Sequence, residues 1–280
     1  MNAGRPKEPS GDDSSGERAD DRLEQGAEPE RPADWAALLK HNWQKRALSE
    51  SRDFYVASHP GWSQSQRWEA QARVDADIVC MGLDESWLRQ AEVLEIGCGV
   101  GRLVSPLLDR TAAYSGFDIA AGMVEEARQR CRSFAQARFF ESDGGTIPSA
   151  VRDRRYDLIL AWAVFIHCPQ KIIAQLAGEA FDLLAPGGHL RFQLLADPSD
   201  PTGIESSPQE AAAAEEEILA MEEGADEGDR SLIDDHYYMG HAFGYDEARQ
   251  LFSSFGGALT LHRFDPGHIY GDLTNPPSAR

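Results

Sequence analysis

From residue 91 to residue 195, short apolar runs alternate with helix-length amphipathic ones, and this alternation constrains the 280-residue chain more than any other feature. Strand-like runs fall at 91–96, 112–117, 137–141, 155–161 and 188–195. Helix-like runs lie between them at 100–109, 120–132 and 170–184. The last carries Ile173, Leu176, Ala177, Ala180 and Leu184 on one helical face, and Pro186-Gly187-Gly188 is expected to stop it. Such alternation predicts a parallel sheet covered by helices on both faces. Farther on, Tyr245 to Phe255 reads as a helix, followed by strand-like 258–264 and 268–270. Ahead of the sheet, Asp34 would cap one or two helices reaching Val56. Trp68, Ala72, Ala76 and Val79 share a face of another helix ending near Met81. The expected fold is a doubly wound α/β domain with a helical N-terminal appendage.

Charge narrows the classes of function. The chain has 47 acidic and 27 basic residues, a net charge of −20. That balance opposes non-specific attraction to nucleic acid or to an anionic membrane, both of which rely on basic patches. Residues 1–33, rich in Gly, Pro, Ser, Glu and Asp, hold nine acidic and five basic residues and are expected to be disordered. Residues 205–235 hold twelve acidic residues and one basic residue, Arg230. They read as a solvated helix and loop, or as an acidic lid over a cationic substrate. The longest apolar run, Leu158 to Cys168, is far short of the roughly 20 residues that span a bilayer. The acidic start does not resemble a leader or transit peptide, so a cytoplasmic protein is expected. Cys80, Cys98, Cys131 and Cys168 form no CxxC pair and no zinc-ligand spacing, so neither a metal nor a disulfide is expected.

The chemistry-bearing residues gather at the ends of the expected strands. AEVLEIGCGVGR is a buried strand followed by Gly97, Gly99 and Gly101, a turn that lets a ligand approach the backbone closely. The helix expected from about Val100 would offer free N–H groups to an anion or carboxylate. A dinucleotide fingerprint calls for a small residue where Arg102 stands, which speaks against a nicotinamide oxidoreductase. Glu95 before the glycines suits an ammonium group better than a pyrophosphate. Asp118, seventeen residues past Gly101, can accept the hydroxyl hydrogens of a ribose or can cap a helix. Asp143 can accept from an adenine amino group beside the Gly144 N–H, or can simply close an Asp-Gly turn. Ala161 and Trp162, at the end of the fourth strand, would border the pocket.

Taken in order, VLEIGCGVGRL, FDIAAGMVEEAR, FFESDGG, YDLILAWAVFIH and FDLLAPGGHLRFQL resemble the successive motifs of the class I S-adenosylmethionine-dependent methyltransferases. The resemblance covers about residues 91–195. It implies a Rossmann-like sheet, mostly parallel, closed by an antiparallel C-terminal strand pair. It divides the chain into an N-terminal cap at 34–90 and a methyltransferase domain at 91–280 carrying the acidic insertion 205–235. It also implies a cofactor, S-adenosyl-L-methionine: Glu95, Gly97, Gly99 and Gly101 on its methionine part, Asp118 on the ribose, Asp143 and Gly144 on the adenine, and Ala161 near the sulfonium. Residues 34–90 match nothing as specific, and in this family the N-terminal helices vary with substrate.

The methyl group on a sulfonium is an electrophile, so a protein of this kind needs only to position a nucleophile and exclude water. His167, just past the fourth strand, is the candidate general base; it can equally be a packing residue. Other titratable candidates, His59, His236, His241, Tyr237 and Tyr238, fall in segments able to overhang the pocket. Trp35, Trp43, Phe54, Tyr55, Trp62 and Trp68 make the appendage aromatic-rich. Core packing accounts for most of them, and one or two could form a wall for a flat or apolar acceptor. Ala161-Trp162-Ala163-Val164 stands where methyltransferases of nucleic-acid amino groups carry Asn/Asp-Pro-Pro-aromatic, and Asn275-Pro276-Pro277 lies too near the C-terminus to replace it. A small-molecule methyl acceptor is expected. A protein acceptor and a catalytically silent domain binding cofactor or partner are the alternatives. Nothing in the sequence sets the oligomeric state.

Overall fold

The computed structural model describes residues 35–49, 52–57, 65–204 and 240–277, all within one compact unit, Asp34–Arg280. The expected disordered tail, the Asp34 cap, His59, Trp62, the acidic segment 205–235, His236, Tyr237 and Tyr238 lie outside the described residues.

Three helices lead in: α1 (Trp35–Ala47), α2 (Arg52–Ala57) and α3 (Ser65–Cys80). A single turn, α4 (Glu85–Leu88), follows, capped by the Asp84 carboxylate, which accepts the Trp87 N–H. The sheet then builds as β1 (Glu92–Ile96), α5 (Val104–Leu108), β2 (Ala113–Asp118), α6 (Ala121–Arg130), β3 (Ala137–Glu141), β4 (Tyr156–Ala161), α7 (Gln170–Leu183) and β5 (Leu184–Ala196). After the acidic segment come β6 (Ala242–Phe243), α8 (Tyr245–Ser253), β7 (Ala258–Asp265) and β8 (His268–Thr274). The strand order is β3-β2-β1-β4-β5-β8-β7, with β6 pairing alongside β5. The first five strands are parallel; β8 runs antiparallel to both β5 and β7. The expected doubly wound sheet with its antiparallel closing pair is what forms.

Alternation along each strand gives the sheet two cores, because successive side chains point to opposite faces. Leu94, Ile96, Ile159 and Phe192 face α7 and α8, meeting Ile173, Leu176 and Phe252. Val93, Leu158 and Leu160 face α3, α5 and α6, meeting Ala76, Val79, Leu107 and Val124. Each such side chain, fully buried, contributes roughly 1.5–3 kcal/mol, and the two faces together hold the strands in register.

Four expectations need correction. The first helix after the glycines begins at Val104, not at about Val100. Residues 97–103 form consecutive turns, with the Gly101 N–H donating to Cys98 O and Val104 N–H to Gly101 O. The free N–H groups of that helix are therefore not at the glycine turn. Pro186-Gly187-Gly188 does not end a helix that has already stopped at Leu183; it forms an irregular stretch inside β5, which starts at Leu184 rather than 188. Asn275 holds that stretch: its side-chain amide donates to Leu184 O and Ala185 O, and its backbone pairs with Gly187 and Gly188. The last strand extends from His268 to Thr274 rather than stopping at 270, and β6 was not foreseen at all.

The candidate cofactor and acceptor cleft

At the carboxyl edge of the parallel strands, where ligands bind in open α/β sheets, lies a solvent-open cleft of about 750 Å³ of atom-free space, part of it open solvent. Its floor comes from the ends of β1 and β2: Ile96, Gly97, Gly99, Phe117 and Asp118. Ser142 and Gly144 after β3 close one side, and the turn after β4 closes the other with Trp162, Ala163, Val164, His167 and Cys168. The N-terminal helices form the roof with Leu39, Trp43, Tyr55 and Val56.

Polar contacts seat the roof. Lys40 pairs with Glu141 at 2.6 Å and donates to Ser142 O, tying α1 to the end of β3. The Gln44 side-chain oxygen accepts the Gly122 N–H at 3.3 Å, meeting a donor in the first turn of α6, whose N-cap residue Ala120 makes no side-chain bond.

Asp118 is the one carboxylate among the described residues of the cleft wall. One of its oxygens accepts the Gly99 N–H at 2.9 Å, and the other accepts the Ala120 N–H at 2.8 Å. Burial pushes this carboxyl up to about 6, against the lowering effect of those N–H donors. A carboxylate has about four acceptor positions, so Asp118 keeps acceptor capacity beyond these two bonds. Gly97 and Gly144 leave the walls close and bare. Both have positive φ, 69° and 88°, and an added Cβ would collide with the side chains of Val164 and Ile119 respectively.

The other expected site residues are placed differently. Glu95 sits behind the turn, 3% exposed, taking the Tyr114 hydroxyl; it is not a lining residue. Burial pushes it up to about 7, opposed by the Tyr114 hydroxyl and the Arg102 charge. Arg102 is itself buried in an ion pair with Asp75 of α3 at 2.5 Å. Gly101 faces a second cleft, lined also by Trp68, Arg102 and Arg130. Asp143 closes its own turn, accepting the Gly145 and Thr146 N–H groups and the Thr146 hydroxyl. Despite the opposing effect of burial, those donors hold its carboxyl below the usual range. Ala161 is fully buried beneath the cleft, and the wall beyond it is made by Trp162 to Val164. His167 lines the cleft, 5% exposed, with its ring edge-on to Trp43 at 5.4 Å. His241, by contrast, pairs with Glu247 at 2.8 Å and is not a lining residue.

Residues missed from sequence include Ile119, Met123, Cys168 and Leu176, all apolar and all in the wall. Burial pushes the Cys168 thiol up to about 12, so it is a packing group and not a nucleophile. Ala163 is the one non-glycine among the described residues with positive φ, at 56°, and its N–H donates to Gln193 of β5 at 3.2 Å. A left-handed alanine costs about 1 kcal/mol, and here it turns the chain after β4 into the cleft. The aromatic richness of the appendage was the available signal for the roof; among its described rings, Trp43 and Tyr55 reach the cleft. Among the described residues, no three metal-ligating side chains cluster, and no helix is long and apolar enough to cross a membrane.

A doubly wound sheet with a glycine turn and a strand-end aspartate at its carboxyl edge defines an α/β domain built for a nucleoside-containing ligand. Residues 93–188 match the methyltransferase domain family, and this part of the chain is similar to the class I S-adenosylmethionine-dependent methyltransferases. Over 114 residues it is 38% identical to trans-aconitate 2-methyltransferase of Variovorax paradoxus, covering 40% of this chain and 41% of that protein. Over 142 residues it is 29% identical to a malonyl-[acyl-carrier protein] O-methyltransferase of Acetivibrio thermocellus, covering 47% and 49%. The matches thus span half or less of these curated relatives. Among solved structures, the DhpI-SAM-HEP complex superposes with a TM-score of 0.56 at 15% identity, covering 86% of this chain and 98% of that one, a likeness of fold.

Proposed function

We propose that this chain transfers a methyl group from S-adenosylmethionine to a small-molecule acceptor. The observation that carries this is Asp118: a buried carboxylate at the end of β2, fixed by the Gly99 and Ala120 N–H groups, lining the cleft with acceptor capacity beyond those two bonds. Two ribose hydroxyls need that arrangement, and the bare walls at Gly97 and Gly144 leave room for a ligand lying across the strand ends.

In this assignment Ile119 and Met123 pack the adenine and Gly144 offers it a backbone N–H, while Asp143 shapes the turn that presents Gly144. Gly97 and Gly99 take the methionine part. Glu95 and Gly101 support the turn from behind, and Ala161 sets where the wall beside the sulfonium begins. The bound cofactor supplies an electrophilic methyl group. Trp162 to Val164 exclude water and hold the acceptor in line with the methyl carbon. The acceptor atom gives its electron pair to that carbon while the carbon–sulfur bond breaks with its pair going to sulfur. For a hydroxyl acceptor the released proton passes to the His167 imidazole and then to water.

Incubation with methyl-labelled S-adenosylmethionine and a panel of phenols, amines and carboxylic acids tests the activity. Label in an extracted small-molecule product supports it. Tight cofactor binding with no turnover on any class would instead favour a silent binding domain, and label retained on protein would favour a protein acceptor.

A further inference from the structure

We propose that the acceptor is an uncharged aromatic or extended apolar alcohol, and that the cleft rejects carboxylates; this rests on the methyl-transfer reading above. The wall facing the strand ends is Trp43, Tyr55, Trp162, Val164, Cys168 and Leu176. Three of these six are aromatic, Trp43 and Tyr55 in the roof and Trp162 in the side wall, so a flat molecule fits between the two layers. None of the described lining residues is lysine or arginine.

Two cations of the roof helix are engaged in other contacts. Lys40 is paired with Glu141, and the Arg46 guanidinium stacks on the rings of Trp43 and Tyr55 at 5.1 and 5.5 Å. A carboxylate entering this wall loses its hydration and meets no lysine or arginine among the described lining residues. An acceptor bearing only a hydroxyl keeps the apolar gain and presents its one polar atom to His167.

On this reading the acceptor differs in chemistry from the one named for the trans-aconitate 2-methyltransferase to which the chain is similar. Specificity resides in the apolar wall, not in the strand ends.

The test uses the full-length chain saturated with S-adenosylhomocysteine, whose own binding is first measured by calorimetry. Naphthol and the hydroxynaphthoate that differs from it by one carboxylate are then titrated by tryptophan fluorescence. Naphthol is expected to bind at least about tenfold tighter. Trp43→Ala should weaken naphthol about tenfold and change S-adenosylhomocysteine affinity by less than about twofold. Equal or tighter binding of the hydroxynaphthoate, binding of neither, or a Trp43→Ala effect on both ligands alike overturns the proposal. Absence of S-adenosylhomocysteine binding in the first titration defeats the methyl-transfer reading itself, and is seen separately.

Discussion

One carboxylate oxygen of Asp118 accepts the backbone N–H of Gly99 at 2.9 Å, so the end of β2 is tied directly to the turn that follows β1. The contact makes the shape of the glycine turn and the position of the carboxylate a single unit. It also gives the cleft a pH dependence. Burial raises Asp118 from its ordinary value to about 6, and ribose hydroxyls need the ionised form to accept both hydrogens. Cofactor affinity should hold steady above that value and decline below it, to about tenfold weaker at pH 5 than at pH 8. Calorimetric titration across that range checks the decline; affinity unchanged down to pH 5 would place the ionised carboxylate elsewhere.

Glu95 makes a prediction about stability. Its folded-state value, pushed by burial to about 7, lies above the unfolded one, so the folded state holds the proton more tightly. The resulting stabilisation is full below about pH 4.5 and is lost as pH rises through about 7. Glu95→Gln keeps an acceptor for the Tyr114 hydroxyl and removes the titration. The variant should match the parent near pH 4 and exceed it at pH 8 by up to about 3 kcal/mol. Urea unfolding at both pH values measures this, and parallel pH profiles would contradict it.

Ala163 carries backbone strain in the cleft wall, with φ at 56°. Ala163→Gly should stabilise the fold by up to about 1 kcal/mol, because glycine adopts that conformation freely. Ala163→Val should destabilise it by about 1–3 kcal/mol through the β-branched side chain. Gln193→Leu should cost about 1 kcal/mol or more by leaving the Ala163 N–H without its acceptor. Denaturant midpoints of the three variants give the order directly; a destabilised glycine variant would show that the positive φ is not a source of strain.

Asn275 is a structural residue distant in sequence from the strand it supports. Asn275→Ala removes two side-chain bonds to Leu184 O and Ala185 O and should cost about 1–3 kcal/mol of stability. Cofactor affinity of the folded variant should stay within about twofold of the parent, since none of these groups lines the cleft. A large loss of affinity would couple that stretch of β5 to the site.

Asn275 marks where sequence reading stops. The parallel strands were legible because each is a short apolar run buried on both faces and bounded by turn residues. Gly97, Gly99 and Asp118 were legible because a tight turn and a strand-end carboxylate are local patterns. The Asn275 pairing joins residues ninety positions apart, and no local pattern announces it. Glycines at 97, 99 and 101 suggested an immediate helix, yet the turns they permit consume residues through 103 first. Arg263 was equally hidden: a charged side chain only 1% exposed, it donates to the carbonyls of Asp197, Asp200, Thr202 and Pro266 and so fixes the loop after β5. Glu95 was read by its charge, and its orientation away from the cleft depends on strand register. The roof was visible only as aromatic richness; which rings turn inward is a matter of tertiary packing.

The central claim is that Asp118 holds the ribose of S-adenosylmethionine, and isothermal titration of the parent chain and Asp118→Ala tests it most directly. Hydrogen bonds to a charged acceptor are worth roughly 1.5–3 kcal/mol each, so losing two should raise the dissociation constant by on the order of tenfold or more. His167→Ala should leave that constant nearly unchanged while lowering turnover. Circular dichroism confirms that each variant is folded. A folded Asp118→Ala that binds S-adenosylmethionine like the parent, or a parent that binds NADH and not S-adenosylmethionine, would contradict the assignment.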